Sequence, residues 1–250
     1  MKPIAIVILA AGKGKRMKSD LPKVLHKVGG KPMIDYVIRT ARKINPQRIV
    51  LVIGHEYQMV LDYLKDSDLE FVIQKEQIGT GHAVMQAEKM LSNFDGIVVI
   101  LCGDVPFLKA ETIGKLIDQH KKRKACATVL TAIVKDASGY GRIKRDNRGL
   151  VEKIVEELDA TNEDKKIKEI NSGIFCFEAK PLFAKLKKTD QQNKQGEYYL
   201  TDVLKLMRDE NLPIAALISS NPNEVLGINS IEQLKEMEKL CGCAVQDDSR

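Results

Sequence analysis

Ile4-Ala5-Ile6-Val7-Ile8-Leu9-Ala10-Ala11-Gly12-Lys13-Gly14-Lys15-Arg16-Met17 opens as an unbroken apolar run and leaves it through a loop of small and basic residues. A strand with one wet face would alternate, so an unbroken run of this length reads as a parallel strand covered on both faces. Glycines in the loop let backbone N–H groups approach a phosphate closely. Lys13, Lys15, Arg16 and, just past Pro22, Lys23 crowd one short segment. Their mutual repulsion asks for an anion; a solvated basic loop is the other reading of the segment alone. Two familiar phosphate loops do not fit. Met17 stands where a dinucleotide fingerprint needs its third Gly or Ala, and the second strand ends in Gly54-His55, with Glu56 close, rather than in an acid. Met17 also stands where a Walker A loop needs the Gly of its Gly-Lys-Ser/Thr.

Lys2 and the apolar run also have the look of a signal peptide, but the run is short and the basic loop follows at once. No stretch approaches the ~20 apolar residues of a membrane helix, so a cytoplasmic protein that does not engage a membrane is expected. The chain of 250 residues suffices for one large α/β domain or two small ones, and its 44% apolar and 30% charged content excludes disordered and collagen-like classes. A net charge of +6 suits an anionic small substrate without demanding nucleic acid, and no nucleic-acid partner is expected. Cys102, Cys126 and Cys176 sit in strand-like runs and read as buried, reduced thiols. Cys241-Gly242-Cys243 has no second Cys/His cluster near it and reads as a frayed tail, not a metal site.

Outward from the first strand, β and α patterns alternate. A helix follows Pro32 with Met33, Val37, Ile38, Ala41 and Ile44 at helical spacing. Strands are expected at Arg48–Ile53, 69–73, Ile97–Cys102 and 125–133, with helices at Tyr57–Leu64, 82–91 and 112–120 between them. The rhythm then changes: 142–144, 150–155 and 170–177 read as strands without long helices between them, and 159–168 as a charged loop with little reason to be rigid. Helices return at 181–186 and 201–207, then a strand at Ile214–Ile218 and a helix at Ile231–Leu240. A Rossmann-like parallel half followed by strand-rich material predicts an α/β fold with one mixed sheet; the regular repeats of a TIM barrel are missing. The expected division is a single domain over 1–229 with a C-terminal helix and tail over 230–250.

Two further segments carry chemistry. Gly103-Asp104-Val105-Pro106 follows a buried strand, and an acid at the carboxyl end of a parallel strand faces the crevice where such sheets bind ligands. A carboxylate there suits Mg²⁺ held against phosphates; a helix cap or turn residue accounts for the Asp equally well. Gln74 with Gly79-Thr80-Gly81-His82-Ala83 places an amide at a strand end, where it can read the edge of a base. His82 reads as structural, because transfer to an already ionised phosphate needs no base. Lys121-Lys122-Arg123-Lys124 reads as a solvated helix end. Glu197-Tyr198-Tyr199-Leu200-Thr201-Asp202 reads as a helix cap at Thr201 with tyrosines lining a cleft.

Taken in order, these segments resemble the uridylyltransferase half of the bacterial bifunctional UDP-N-acetylglucosamine pyrophosphorylase / glucosamine-1-phosphate N-acetyltransferases. The resemblance runs from about residue 4 to 240 and includes Gly139-Tyr140-Gly141-Arg142, Glu156 with Asp159-Ala160-Thr161, Ile170-Asn171-Ser172-Gly173 and Gly227-Ile228-Asn229. It implies a nucleotide-diphospho-sugar transferase fold and the transfer of UMP from UTP to N-acetylglucosamine 1-phosphate, a step toward peptidoglycan, with Mg²⁺ as cofactor. It also implies that Leu9, Ala10, Ala11, Gly12, Gln74, Gly79 and Thr80 bind the nucleotide, and that Arg16 and Lys23 neutralise the leaving pyrophosphate. Gly103, Gly141, Glu156 and Asn171 then surround the sugar phosphate, and Asp104 and Asn229 hold the metal. Cys102 stands where many relatives carry a tyrosine, and the turn 146–149 holds one extra residue. The hexapeptide repeats of the acetyltransferase half do not occur in this sequence, so acetyl transfer is not expected of it. The alternatives left open are another nucleotide and sugar phosphate on the same fold, or a silent sugar-nucleotide-binding subunit.

Overall fold

The computed structural model describes residues 2–65 and 68–240. In chain order the elements are β1 (Ile4–Ala10), β2 (Lys27–Val28), β3 (Lys31–Pro32), α1 (Met33–Arg42), β4 (Arg48–Ile53), α2 (Tyr57–Leu64) and β5 (Glu70–Ile73). They continue with α3 (Thr80–Gln86), α4 (Glu88–Leu91), β6 (Ile97–Cys102), α5 (Ala110–Lys122), β7 (Ala127–Ile133), β8 (Arg142–Arg145) and β9 (Val151–Val155). The rest are β10 (Glu169–Glu178), α6 (Ala179–Leu186), α7 (Asp202–Asp209), β11 (Ile214–Ile218) and α8 (Ile231–Leu240).

The main sheet runs β11-β7-β10-β6-β1-β4-β5, with β8 branching from β10 and β9 pairing with β8. β1 pairs in parallel with both β4 and β6, and β10 is inserted antiparallel between β6 and β7. The mixed sheet expected from the change of rhythm is therefore present. Alternate side chains of β1 serve two cores: Ile6 and Ile8 join one apolar cluster with Ile34, Val37 and Leu116, while Ala5 and Val7 join another with Val84, Leu91 and Leu182. Ala5, Ile6, Val7 and Ile8 are fully buried, which is why the run carries no polar residue. The chain passes from β1 outward to β4 and β5, then returns to β6 on the other side of β1. That reversal opens a crevice at the carboxyl ends of β1 and β6.

Two local expectations change. The helix expected over 82–91 starts earlier and is two helices, divided at Ala87, whose N–H donates to Val84 rather than following the α pattern. The charged segment 159–168 is pinned by its own side chains. The Thr161 hydroxyl donates to Asp164 at 2.7 Å, and the Asp164 N–H donates back to Thr161 at 3.1 Å, at the entry of a single turn, Asp164–Lys166. Cys176 is buried as expected, whereas Cys102 and Cys126 are partly exposed; all three are free. Cys241 and Cys243 lie outside the described residues. No helix among the described residues is long and apolar enough to cross a membrane.

Candidate active site

The crevice at the ends of β1 and β6 opens into a cavity of about 520 Å³, lined by Leu9, Ala10, Ala11, Gly12, Lys13, Gly14, Lys23, Gln74, Gly79, Thr80, Cys102 and Asp104, among others. A smaller recess of about 190 Å³ adjoins it, sharing Leu9, Thr80, Cys102 and Asp104 and adding Tyr140, Gly141, Glu156, Asn171, Thr201 and Asn229. Of the residues implied by the sequence, all but Arg16 and Gly103 line this double cleft.

The basic loop is shaped by Gly14 and Met17. Gly14 takes φ +57°, and a Cβ there would stand 2.8 Å from the Cβ of Lys23, so only glycine lets the loop close on the lysine stem. Met17 is buried in an apolar cluster with Val28, Met33 and Ile228, and its N–H returns to the Gly14 carbonyl at 2.8 Å. Pulling Met17 inward turns its neighbour out: Arg16 is exposed on the turn Lys15–Met17 and lines neither cavity. Its charge nevertheless reaches the Tyr140 hydroxyl, whose pKa burial raises. Gly103 is likewise beneath the cleft floor. Its N–H donates to the Leu9 carbonyl at 2.9 Å, and a Cβ there would meet Val24 at 2.9 Å. It braces β6 against β1 instead of lining a cavity.

Asp104 and Asn229, far apart in sequence, converge. The Ile228 N–H donates to the Asp104 carbonyl at 2.9 Å, and the Asn229 N–H donates to Gln233 Oε1 on α8 at 2.7 Å. Their side-chain oxygens face a single cation position, and the Lys23 ammonium fills it. Lys23 Nζ is ion-paired with Asp104 Oδ2 and donates to Asn229 Oδ1 at 2.6 Å. One carboxylate and one amide oxygen around a cation form a hard-oxygen donor set that fits Mg²⁺.

On the other rim, Gly79 holds φ +111°, and a Cβ there would fall 2.4 Å from the Tyr198 carbonyl. That close approach fastens two loops: the Gly81 N–H donates to Tyr198 O at 2.8 Å, and the Leu200 N–H donates to Thr80 Oγ1 at 3.2 Å. Gln74 is buried in the floor, its Nε2 donating to the Gly79 carbonyl and meeting His82 Nδ1, each at 3.1 Å. The His82 ring is itself held, Nδ1 on the Glu76 carbonyl at 3.0 Å and Nε2 against the Gln86 amide at 3.0 Å. In the smaller recess the Thr201 hydroxyl donates to Glu156 Oε1 at 2.9 Å, and Asn171 Oδ1 accepts the Gly173 N–H at 3.0 Å.

The motif spanning 197–202 contributes to the cleft through other side chains than expected. Thr201 was expected to cap α7, yet it makes no side-chain cap and spends its hydroxyl on Glu156. Tyr199 was expected to line the cleft, but it is buried and its hydroxyl donates to Asp159 at 3.0 Å. Glu197 of the same motif lines the larger cavity instead. Only the motif spanning 197–202 signalled this rim.

Comparison with known proteins agrees with this geometry. The family model for nucleotidyl transferases matches residues 5–222. The bifunctional protein GlmU of Clostridium novyi (strain NT) is 50% identical over 234 residues, covering 94% of this chain and 51% of that protein. GlmU of Enterococcus faecalis (strain ATCC 700802 / V583) is 45% identical over 234 residues, with the same coverage of 94% and 51%. The chain thus spans about half the length of the curated relatives it matches. A crystal structure of UDP-glucose pyrophosphorylase complexed with UDP-glucose superposes with a TM-score of 0.77 at 21% identity, over 97% of this chain and 99% of that one. A putative glucose-1-phosphate thymidylyltransferase from Bacillus anthracis superposes with a TM-score of 0.73 at 19% identity, over 95% and 94% of the two chains. With a mixed sheet of that fold, a double cleft at the ends of β1 and β6, and a family match over most of its length, this chain belongs to the nucleotidyl transferase family.

Proposed function

We propose that the chain transfers UMP from UTP to N-acetylglucosamine 1-phosphate, giving UDP-N-acetylglucosamine and pyrophosphate. The observation that carries this reading is the junction of the two cavities at Asp104. The larger cavity, floored by the small-residue loop and Gln74, suits a nucleoside triphosphate; the recess with Glu156 and Asn171 suits a sugar. The choice of uracil and of this sugar rests on the ordered motifs from Gly12 to Asn229 and on the half-length match to the bifunctional relatives.

In this reading an oxygen of the sugar phosphate attacks the α-phosphorus of UTP in line. The bond to the bridging oxygen breaks, and pyrophosphate leaves on the opposite side. The attacking oxygen is already ionised at neutral pH, so no general base is needed. Backbone N–H groups from Leu9 to Gly12 hold the nucleotide. Gln74, whose Nε2 is held on the Gly79 carbonyl, presents its carbonyl oxygen to a donor on the base. Lys13 and Lys23 from the cavity wall, with Arg16 from the loop outside it, meet the triphosphate charge; fixed cations and positioning supply most of the rate. Mg²⁺, held by Asp104 and Asn229, would neutralise phosphate oxygens and strengthen the leaving group. We further propose that 1–229 is the catalytic unit and that the helix after it is an attached brace.

The test is a substrate panel. With UTP and Mg²⁺, kcat/KM for N-acetylglucosamine 1-phosphate should exceed that for glucose 1-phosphate by roughly tenfold or more, about 1.4 kcal/mol. An equal or reversed preference rejects the sugar and leaves the reaction class standing.

A further inference from the structure

The cation position between Asp104 and Asn229 is occupied by the protein itself. Lys23 Nζ touches both side-chain oxygens, and the lysine and aspartate side chains are only 12% and 22% exposed. Asp104 makes no other ion pair among the described residues. A partly buried carboxylate is costly without a counter-charge, so the ammonium stabilises this arrangement. It does so at the point where a metal would sit, and the two cations repel each other too strongly to share it.

Lys23 also lines the nucleotide cavity, and its stem lies against Gly14, where no side chain obstructs it. An ammonium leaving Asp104 therefore has a second destination on the same wall, among the phosphates of a bound nucleotide. We propose that Lys23 is a resident placeholder. Its ammonium holds Asp104 and Asn229 together until a divalent cation takes that place, and it then turns to the nucleotide phosphates. This rests on the reading of Asp104 and Asn229 as the metal pair. Its consequence is thermodynamic: metal alone must displace a paired ammonium that gains nothing in return, whereas with nucleotide present the displaced ammonium finds new oxygens. Metal and nucleotide binding are coupled through one lysine.

The test measures Mn²⁺ binding to the whole chain without nucleotide, from loss of the free-ion electron paramagnetic resonance signal. Lys23→Met keeps the stem and removes the competitor. It should bind Mn²⁺ about tenfold or more tightly than the wild type, on the order of 1.4 kcal/mol, and adding Asp104→Asn should abolish the gain. Equal or weaker binding by Lys23→Met, with binding still dependent on Asp104, overturns the placeholder and spares the metal pair. Binding that ignores Asp104→Asn in both backgrounds overturns the metal pair and the placeholder together. Lys23→Gln should behave as Lys23→Met does, and thermal melts check that both variants fold. A wild-type readout needs no variant: saturating Mg²⁺ should speed reductive methylation of Lys23, mapped by mass spectrometry, by about threefold or more as the ammonium leaves its buried pair. An unchanged or slower rate overturns the exchange.

Discussion

Glu156 lines the smaller recess with one oxygen on Thr201. Burial pushes its carboxyl above the usual range against the pull of that bond, and the carboxylates of Asp202, Asp159 and Glu197 add to the rise. Its folded-state pKa lies above the unfolded value, so the folded protein binds more protons between the two values. Stability therefore falls as pH rises through that interval, and the ionised carboxylate is a net cost at neutral pH. Glu156→Gln removes that cost and keeps an acceptor for Thr201. Its Tm at neutral pH should equal or exceed the wild-type value, with the gap closing as pH falls into the interval. KM for the sugar phosphate should rise about tenfold, the loss of one hydrogen bond to a charged group. A lower Tm with unchanged KM would make Glu156 a structural carboxylate. Lys23→Ala should lower turnover by roughly 10²-fold or more, as expected on removing a preorganised charge-stabilising donor; unchanged turnover returns the lysine to a solvated loop. Single residues were legible in the sequence where one side chain and its neighbours sufficed, as with Asp104 after a buried strand. Arg16 was not, because its direction is set by Met17 sinking into a core built partly from Ile228, Leu234 and Met237, over two hundred positions away. The partnership of Thr201 with Glu156 was hidden for the same reason.

β1, β4 and β6 were readable because a strand buried on both faces has no choice but an unbroken apolar run. The break between α3 and α4 carried no such signal: Ala87 favours helix, and the break is made by packing and a shortened turn. Gly79 belongs to this scale, since it joins the loop before α3 to the loop before α7. Gly79→Ala combines a left-handed φ of +111° with a Cβ 2.4 Å from Tyr198 O, and should destabilise by at least about 2 kcal/mol. A urea midpoint within error of the wild type would show that the two loops are not locked together. α8 braces the site as well as the core. Leu234 and Met237 pack beside Met17 and Ile228, while Gln233 fixes the Asn229 backbone and Glu238 accepts the Gly29 N–H at 2.9 Å. Gln233→Ala should raise the Mg²⁺ concentration for half-maximal activity by about fivefold, with KM for the sugar phosphate nearly unchanged, the loss of a single hydrogen bond worth ~1 kcal/mol. Equal metal requirements would leave the helix a role in the core alone.

At the scale of the whole molecule, one mixed sheet separates two apolar cores and brings the carboxyl ends of β1 and β6 together at its centre. The parallel half lines most of the larger cavity. The region from β8 to α7 lines most of the smaller recess, and the segment before α8 closes the junction with Asn229. The change of rhythm after β7 made this division legible, but which strand the later ones pair with was not, because β10 pairs across long sequence separations on both edges. On the proposed function, the double cleft joins a nucleotide to a sugar phosphate and does not merely hold them side by side. The direct measurement is continuous pyrophosphate release by the purified chain, with UTP, N-acetylglucosamine 1-phosphate and Mg²⁺ supplied together and each omitted in turn. The expected result is sustained release, with UDP-N-acetylglucosamine formed in equal amount, that stops when any one of the three is left out and in Asp104→Ala. Binding of both substrates without release, or release that continues without the sugar phosphate, would contradict it.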